Sequence, residues 1–209
     1  MKKYVVELIG TFFFVLTIGC VVVGGGAGNA APLAIGSALM VMIYAGGHVS
    51  GGHFNPAVTL GVTLRGRCAW AEAPLYMAAQ LFGSALAALV VKYLQAKAKA
   101  PVPMTLDFGP ALLAEFLFTF ALVWVVLNSA TSKDTAGNSF YGFAIGFTVL
   151  IGAYSVGSIS GGAFNPAVAL GISLLSLTEI ANLWAYWIPE FIAAAAAAFT
   201  FKWVNADDA

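Results

Sequence analysis

Two short segments carry the residue types best placed to do chemistry. Residues 50–61 read SGGHFNPAVTLG and residues 160–171 read SGGAFNPAVALG, identical at ten of twelve positions. Each sets an Asn directly ahead of Pro and Ala: Asn55, Pro56, Ala57, then Asn165, Pro166, Ala167. That order is strong helix-start chemistry, because the Asn oxygen can accept from the free N–H groups of a first turn and Pro tolerates the first helical position. With its oxygen so used, each amide keeps an NH₂ group free to donate. Two such donors brought together would seize a water or hydroxyl by its oxygen and interrupt any chain along which protons hop. The glycine pairs just before, Gly51-Gly52 and Gly161-Gly162, permit an extended, tightly turned approach. Its backbone carbonyls, with those of His53 and Ala163, would form a ladder of acceptors, since backbone without Cβ allows close approach.

Other reactive groups offer less. Glu7 and Glu115 are ionisable residues in apolar surroundings, and such residues are functional candidates by default. Their symmetric placement favours a structural role over proton transfer, each accepting N–H bonds from the Asn-Pro segment of its own half. His48, Ser50 and His53 find no suitable third partner for catalysis or metal binding. Cys20 and Cys68 read as unpaired and reduced, and no zinc spacing exists. No metal, cofactor or enzyme activity is expected.

The elements that must hold these residues follow from composition. Hydrophobic residues make up 61% of the 209 and charged residues 9%, with a mean hydropathy of +0.91. A soluble domain of this size would carry roughly a quarter of its residues as charge. No Asp, Glu, Lys or Arg occurs from Leu8 to Leu64 or from Thr135 to Thr178. A bilayer core needs roughly 20 helical residues per crossing, so each run holds whole crossings and a remainder too short to cross. Backbone in hydrocarbon must be satisfied within its own segment, and the runs do not alternate as barrel strands would. The expectation is an all-α membrane protein with spans near 4–25, 32–50, 70–92, 108–130, 139–158 and 180–203. The remainders, Asn55–Leu64 and Asn165–Leu175, become re-entrant half-helices.

The chain reads as one domain, 1–209, made of repeats 1–100 and 101–209. A second anchor supports the register, since Glu7-Leu-Ile-Gly-Thr-Phe parallels Glu115-Phe-Leu-Phe-Thr-Phe. Three spans per repeat make the repeats inverted, so the half-helices dip in from opposite faces and meet near the midplane, N-terminus toward N-terminus. Each such end carries about half a positive elementary charge, which disfavours cations at the meeting point. With the N-terminus inside, six basic residues are cytoplasmic and three are not, which sets both termini in the cytoplasm. Lys2 and Lys3 ahead of an apolar stretch imitate a signal peptide, but the stretch is too long and Glu7 interrupts it. Residues 1–209 are therefore expected to be mature. Short loops lean toward a prokaryotic inner membrane. Zero net charge gives no reason to expect nucleic acid as a partner.

Two Asn-Pro-Ala motifs, each preceded by Ser-Gly-Gly-x-Phe, with a Glu early in spans one and four, closely resemble the aquaporin or major intrinsic protein family over the whole chain. The resemblance implies a homotetramer of independent pores in the bilayer, half-helices meeting at Asn55 and Asn165, and a narrower filter nearer the outside. The family's usual Arg after the second motif is Val168 here. The other filter positions carry over to Ile35, Ala153 and Gly162, a ring that would be wide, apolar and uncharged. Small neutral permeants such as glycerol, urea or metalloid hydroxides would then pass with water. Two features lean toward water alone: Ala169 stands where glycerol channels of the family usually have Asp, and Tyr186-Trp187 resembles an aromatic pair common in water channels. Glu190, after Pro189, is expected to face a neighbouring subunit or the cytoplasmic vestibule. The run Ala193 to Ala198 and the Gly83-Ser84 region offer small residues for close helix packing. Two alternatives stay open, a channel leaky to ions or protons for want of the Arg, and a non-conducting membrane scaffold.

Overall fold

The computed structural model describes residues 1–208, and every element in them is helical. Six long helices are α1 (Lys2–Val23), α2 (Ala31–Ser50), α4 (Ala73–Leu94), α5 (Phe108–Val126), α6 (Tyr141–Ser160) and α8 (Leu183–Val204). With their flanking turns, all six are long and apolar enough to cross a membrane. Two helices of nine residues, α3 (Pro56–Leu64) and α7 (Pro166–Leu174), are far too short to do so. The outward faces of the long helices suit lipid. Ile9, Phe13, Phe82, Leu89, Leu117, Ile192 and Phe199 are exposed, and Trp70, Tyr93 and Trp203 stand exposed at helix ends, where aromatic belts form.

The packing repeats within each half, and the halves meet where α2 crosses its repeat mate. Helix α1 lies on α4 and α5 on α8, while α2 crosses α6. The short helices cross over: α3 packs on α8 of the second repeat and α7 on α4 of the first. This exchange interlocks the halves and puts both short helices in the core. Small residues make it possible. Ala193, Ala194, Ala197 and Ala198 are fully buried, so the alanine run packs within the protomer. At the α2–α6 crossing, a Cβ on Gly36 would lie 2.6 Å from the Gly146 carbonyl, and one on Gly146 would lie 2.5 Å from the Gly36 carbonyl.

Local chemistry moves some boundaries from the sequence expectation. Helix α4 starts at Ala73 rather than residue 70, with Pro in its first turn. Helix α5 stops being α-helical at Val126 and continues as a π-turn over Leu127–Thr131. The following loop folds back on that turn, with Thr135 Oγ1 donating to the Asn128 carbonyl (2.6 Å) and Asn138 Nδ2 to that of Ser129 (2.7 Å).

Candidate functional site

Asn55 and Asn165 are extended N-caps, with φ of −158° and −164°. The Oδ1 of Asn55 accepts from the backbone N–H of Ala57 (2.8 Å) and Val58 (3.3 Å). That of Asn165 accepts from Ala167 (2.9 Å) and Val168 (3.4 Å). The amide nitrogens reach across the repeat axis. Asn55 Nδ2 donates to the Phe164 carbonyl at 2.8 Å, and Asn165 Nδ2 to the Phe54 carbonyl at 2.9 Å. The capping ends of α3 and α7 therefore abut as a reciprocal clasp. One N–H of each NH₂ is used in the clasp and one is left for a passing molecule, not both.

The segments leading into the caps turn tightly at their glycines. Gly51 and Gly52 have φ of +89° and +64°, and Gly161 and Gly162 have +91° and +66°, values that only glycine adopts without strain. These pairs turn the chain sharply out of α2 and α6. Buried carboxylates hold the turned segments from behind. Glu7 accepts from Ser50 Oγ (2.7 Å), His53 N (3.0 Å), Phe54 N (2.7 Å) and Gln80 Nε2 (2.8 Å). Glu115 accepts from Ser160 Oγ (2.6 Å), Ala163 N (3.0 Å) and Phe164 N (2.7 Å). With the N–H groups drawn backward, the carbonyls of Gly51, Gly52, His53 and their mates Gly161, Gly162 and Ala163 accept no hydrogen bond from the described residues. Such groups at depth need water or a permeant as partner.

Glu190 faces neither a neighbouring subunit nor a vestibule. It is fully buried, its Oε1 accepts from the Asn165 backbone N–H at 2.9 Å, and it adjoins Glu115. Its repeat mate is Gln80, which supports the first half from the same position by donating to Glu7 and Thr59. The repeat offset of 110 residues would have revealed this role, since it pairs the two positions. Tyr186 donates to the Ser160 carbonyl (2.7 Å) and Trp187 to that of Pro166 (3.0 Å), so the aromatic pair braces α7 and its approach.

Three cavities adjoin one another beside the clasp. A chamber of about 340 Å³ on the face away from the chain ends is lined by Ile35, Ala153, Gly161, Gly162, Ala163 and Val168, among others. A central waist of about 10 Å³ is lined by Gly52, His53, Asn55, Ala163 and Asn165 on one side. Its other side is apolar, formed by Phe14, Leu39, Leu122, Val126, Ile145 and Val149, residues that sequence reasoning did not single out. A mouth of about 670 Å³ opens beside Gly51, His53, Arg67, Glu72 and Lys133. Neighbouring cavities share walls. Phe14, Val149 and Ala163 border both chamber and waist, and His53 and Val126 border both waist and mouth. The mouth lies on the face of both chain ends, where Lys3 pairs with Glu72, and Arg67 and Lys133 approach Asp208.

His48 lies apart from the waist, in a side pocket with Gly47 and Tyr141. His53 Nδ1 lies 3.2 Å from Thr59 Oγ1, and its ring packs against Tyr76. Cys20 and Cys68 are free thiols, and no group of three potential metal ligands occurs among the described residues.

Known proteins share this architecture. The family model described as Major intrinsic protein matches residues 1–201. Aquaporin NIP1-4 of Oryza sativa subsp. japonica is 35% identical over 98% of this chain and 77% of its own length. Aquaporin NIP1-1 of Zea mays is 33% identical over 98% of this chain and 75% of its own. These relatives are plant proteins and lend nothing to the expectation of a prokaryotic membrane. The X-ray structure of the aquaglyceroporin from Plasmodium falciparum superposes with a TM-score of 0.80 at 21% identity, covering 96% of this chain and 94% of that one. By the family match, the relatives and the helical architecture together, the chain belongs to the major intrinsic protein family, whose members are membrane channels for water and small solutes rather than enzymes.

Proposed function

We propose that this protein is a passive channel for water and small uncharged solutes, conducting along the line of chamber, waist and mouth. The carrying observation is the row of unpartnered carbonyls beside two abutting half-helix N-termini, at a depth where irregular backbone is tolerated beside a cavity. The carbonyls offer acceptors to permeant O–H and N–H groups. Each Asn offers one N–H to a permeant oxygen, and the paired positive helix ends repel cations and hydronium.

Ile35, Ala153, Gly162 and Val168 serve as an outer ring with no charge, and no Phe or His narrows it. We infer that this ring does not turn away solutes the size of glycerol, urea or an undissociated metalloid hydroxide. The working form is taken as a homotetramer with both termini in the cytoplasm. An acid-lined route, which cation conduction would need, is absent from these walls, so an ion channel is the weaker reading.

Stopped-flow light scattering on proteoliposomes tests the proposal, with an impermeant osmolyte first and glycerol, urea and neutral arsenite after it. Rapid osmotic response without ionic current is expected. Val168→Arg should lower the glycerol-to-water ratio by filling the ring with a charged side chain. An unchanged ratio would count against the ring, and a correctly folded protein with no osmotic response would point to a scaffold.

A further inference from the structure

We propose that the size limit on permeants is set at the central waist, by an inner ring that the repeat generates, and not by the outer ring. The inference rests on the channel reading above. An offset of 110 residues maps Ile35, Ala153, Gly162 and Val168 onto Ile145, Ile43, Gly52 and Val58. The fold therefore builds two rings on opposite sides of the clasp.

All four outer-ring residues line the chamber of about 340 Å³, whereas Ile145, Gly52 and Val58 line the waist of about 10 Å³. The waist is narrow because both members of mated pairs crowd it, His53 with Ala163 and Leu39 with Val149 among them. The fourth inner residue, Ile43, is 1% exposed and backs the ring from within the core.

A space of about 10 Å³ accepts roughly one water at a time. The apolar side of the waist is closed by the mate pairs Phe14 with Leu122 and Leu39 with Val149, together with Val126. These side chains are buried and close-packed, so a solute wider than water passes only by displacing them. The same walls leave the Asn donors and the Gly52 and His53 carbonyls facing the file, so water itself meets no comparable obstacle.

The test uses the full chain in proteoliposomes and reads glycerol and water permeability by stopped-flow light scattering. Leu39→Ala and Val126→Ala open the waist, while Ile35→Ala and Val168→Ala open the outer ring. One methylene in an apolar site is worth about tenfold in discrimination, so the waist variants should raise the glycerol-to-water ratio by about tenfold or more. The outer-ring variants should raise it far less. An outer-ring effect equal to or larger than the waist effect would overturn the proposal, as would waist variants that leave the ratio unchanged. If one waist variant does not fold, the other carries the test. Val126→Leu, which fills the waist, should lower both permeabilities, and an increase in either would overturn the proposal. A wild type with no osmotic response would sink the channel reading itself, which separates the two failures.

Discussion

Asn165 is gripped from more directions than Asn55. Its side chain caps α7 and reaches the Phe54 carbonyl, and its backbone N–H donates to Glu190. Glu190 Oε2 is buried with no N–H to accept from, and Glu115, a second carboxyl, stands beside it. Gln80, the mate of Glu190, shows what an amide does in that position. Glu190→Gln would keep an oxygen for the Asn165 N–H and supply a fixed donor toward Glu115. It should leave thermal stability in detergent equal to wild type or above it. Glu190→Ala strands the Asn165 N–H and should destabilise by about 1–3 kcal/mol. A Gln variant that melts well below the Ala variant would refute this account. The clasp has its own test in Asn55→Asp. It keeps the capping oxygen but replaces the donor to the Phe164 carbonyl with a second acceptor. Stability should fall by about 1–3 kcal/mol and water permeability should drop with it, read by unfolding and by light scattering.

Helices α2 and α6 meet where Gly36 and Gly146 each place a carbonyl within contact of the other's missing Cβ. Backbone stands at that contact, so a larger residue has no flexible side chain to push aside. Gly146→Leu should separate the two helices and cost about 1–3 kcal/mol or more by overpacking, measured as lost monodispersity and a lowered melting temperature. The same helices show what sequence could and could not reveal. The Asn-Pro caps and the charge-free runs made both half-helices legible, because capping chemistry and bilayer length are local rules. The glycine pairs Gly51-Gly52 and Gly161-Gly162 marked a tight turn but not its left-handed sense, since glycine permits either sign of φ. The π-turn after Val126 left no mark at all. Nor did the apolar wall of the waist: Phe14, Leu39, Leu122 and Val126 sit in helices that are apolar all round. Such a helix has no polar stripe to reveal which face looks into a pore.

Across the whole molecule, one residue ties the end of the chain to the mouth. Asp208 accepts from the Lys133 backbone N–H at 3.0 Å, and its Oδ1 lies 2.9 Å from Arg65 Nη2, with Arg67 and Lys133 Nζ farther off at 3.8 and 4.0 Å. Arg65 is the C-cap of α3, and its guanidinium lies over the Phe201 ring at 4.7 Å. The end of α3, the end of α8 and the loop after α5 thus converge on a single carboxylate. Burial acts to raise the Asp208 pKa, but the Ser132 hydroxyl, the Lys133 N–H and the Arg65 charge outweigh it and hold the group below the ordinary carboxylate range. A carboxyl with a lowered folded-state pKa stabilises fully above its unfolded value and loses that contribution as pH falls through the folded one. The tether is therefore complete at neutral pH and weakens only in acid. Hydrogen exchange over residues 132–138, corrected for the intrinsic pH dependence of exchange, should show protection that declines in acid for the wild type. Asp208→Asn should show low protection that no longer varies with pH, because the amide keeps the shape but neither the charge nor the titration. Protection in the variant that still tracks pH as the wild type's does would place the titrating group elsewhere and leave Asp208 as a bystander at the mouth.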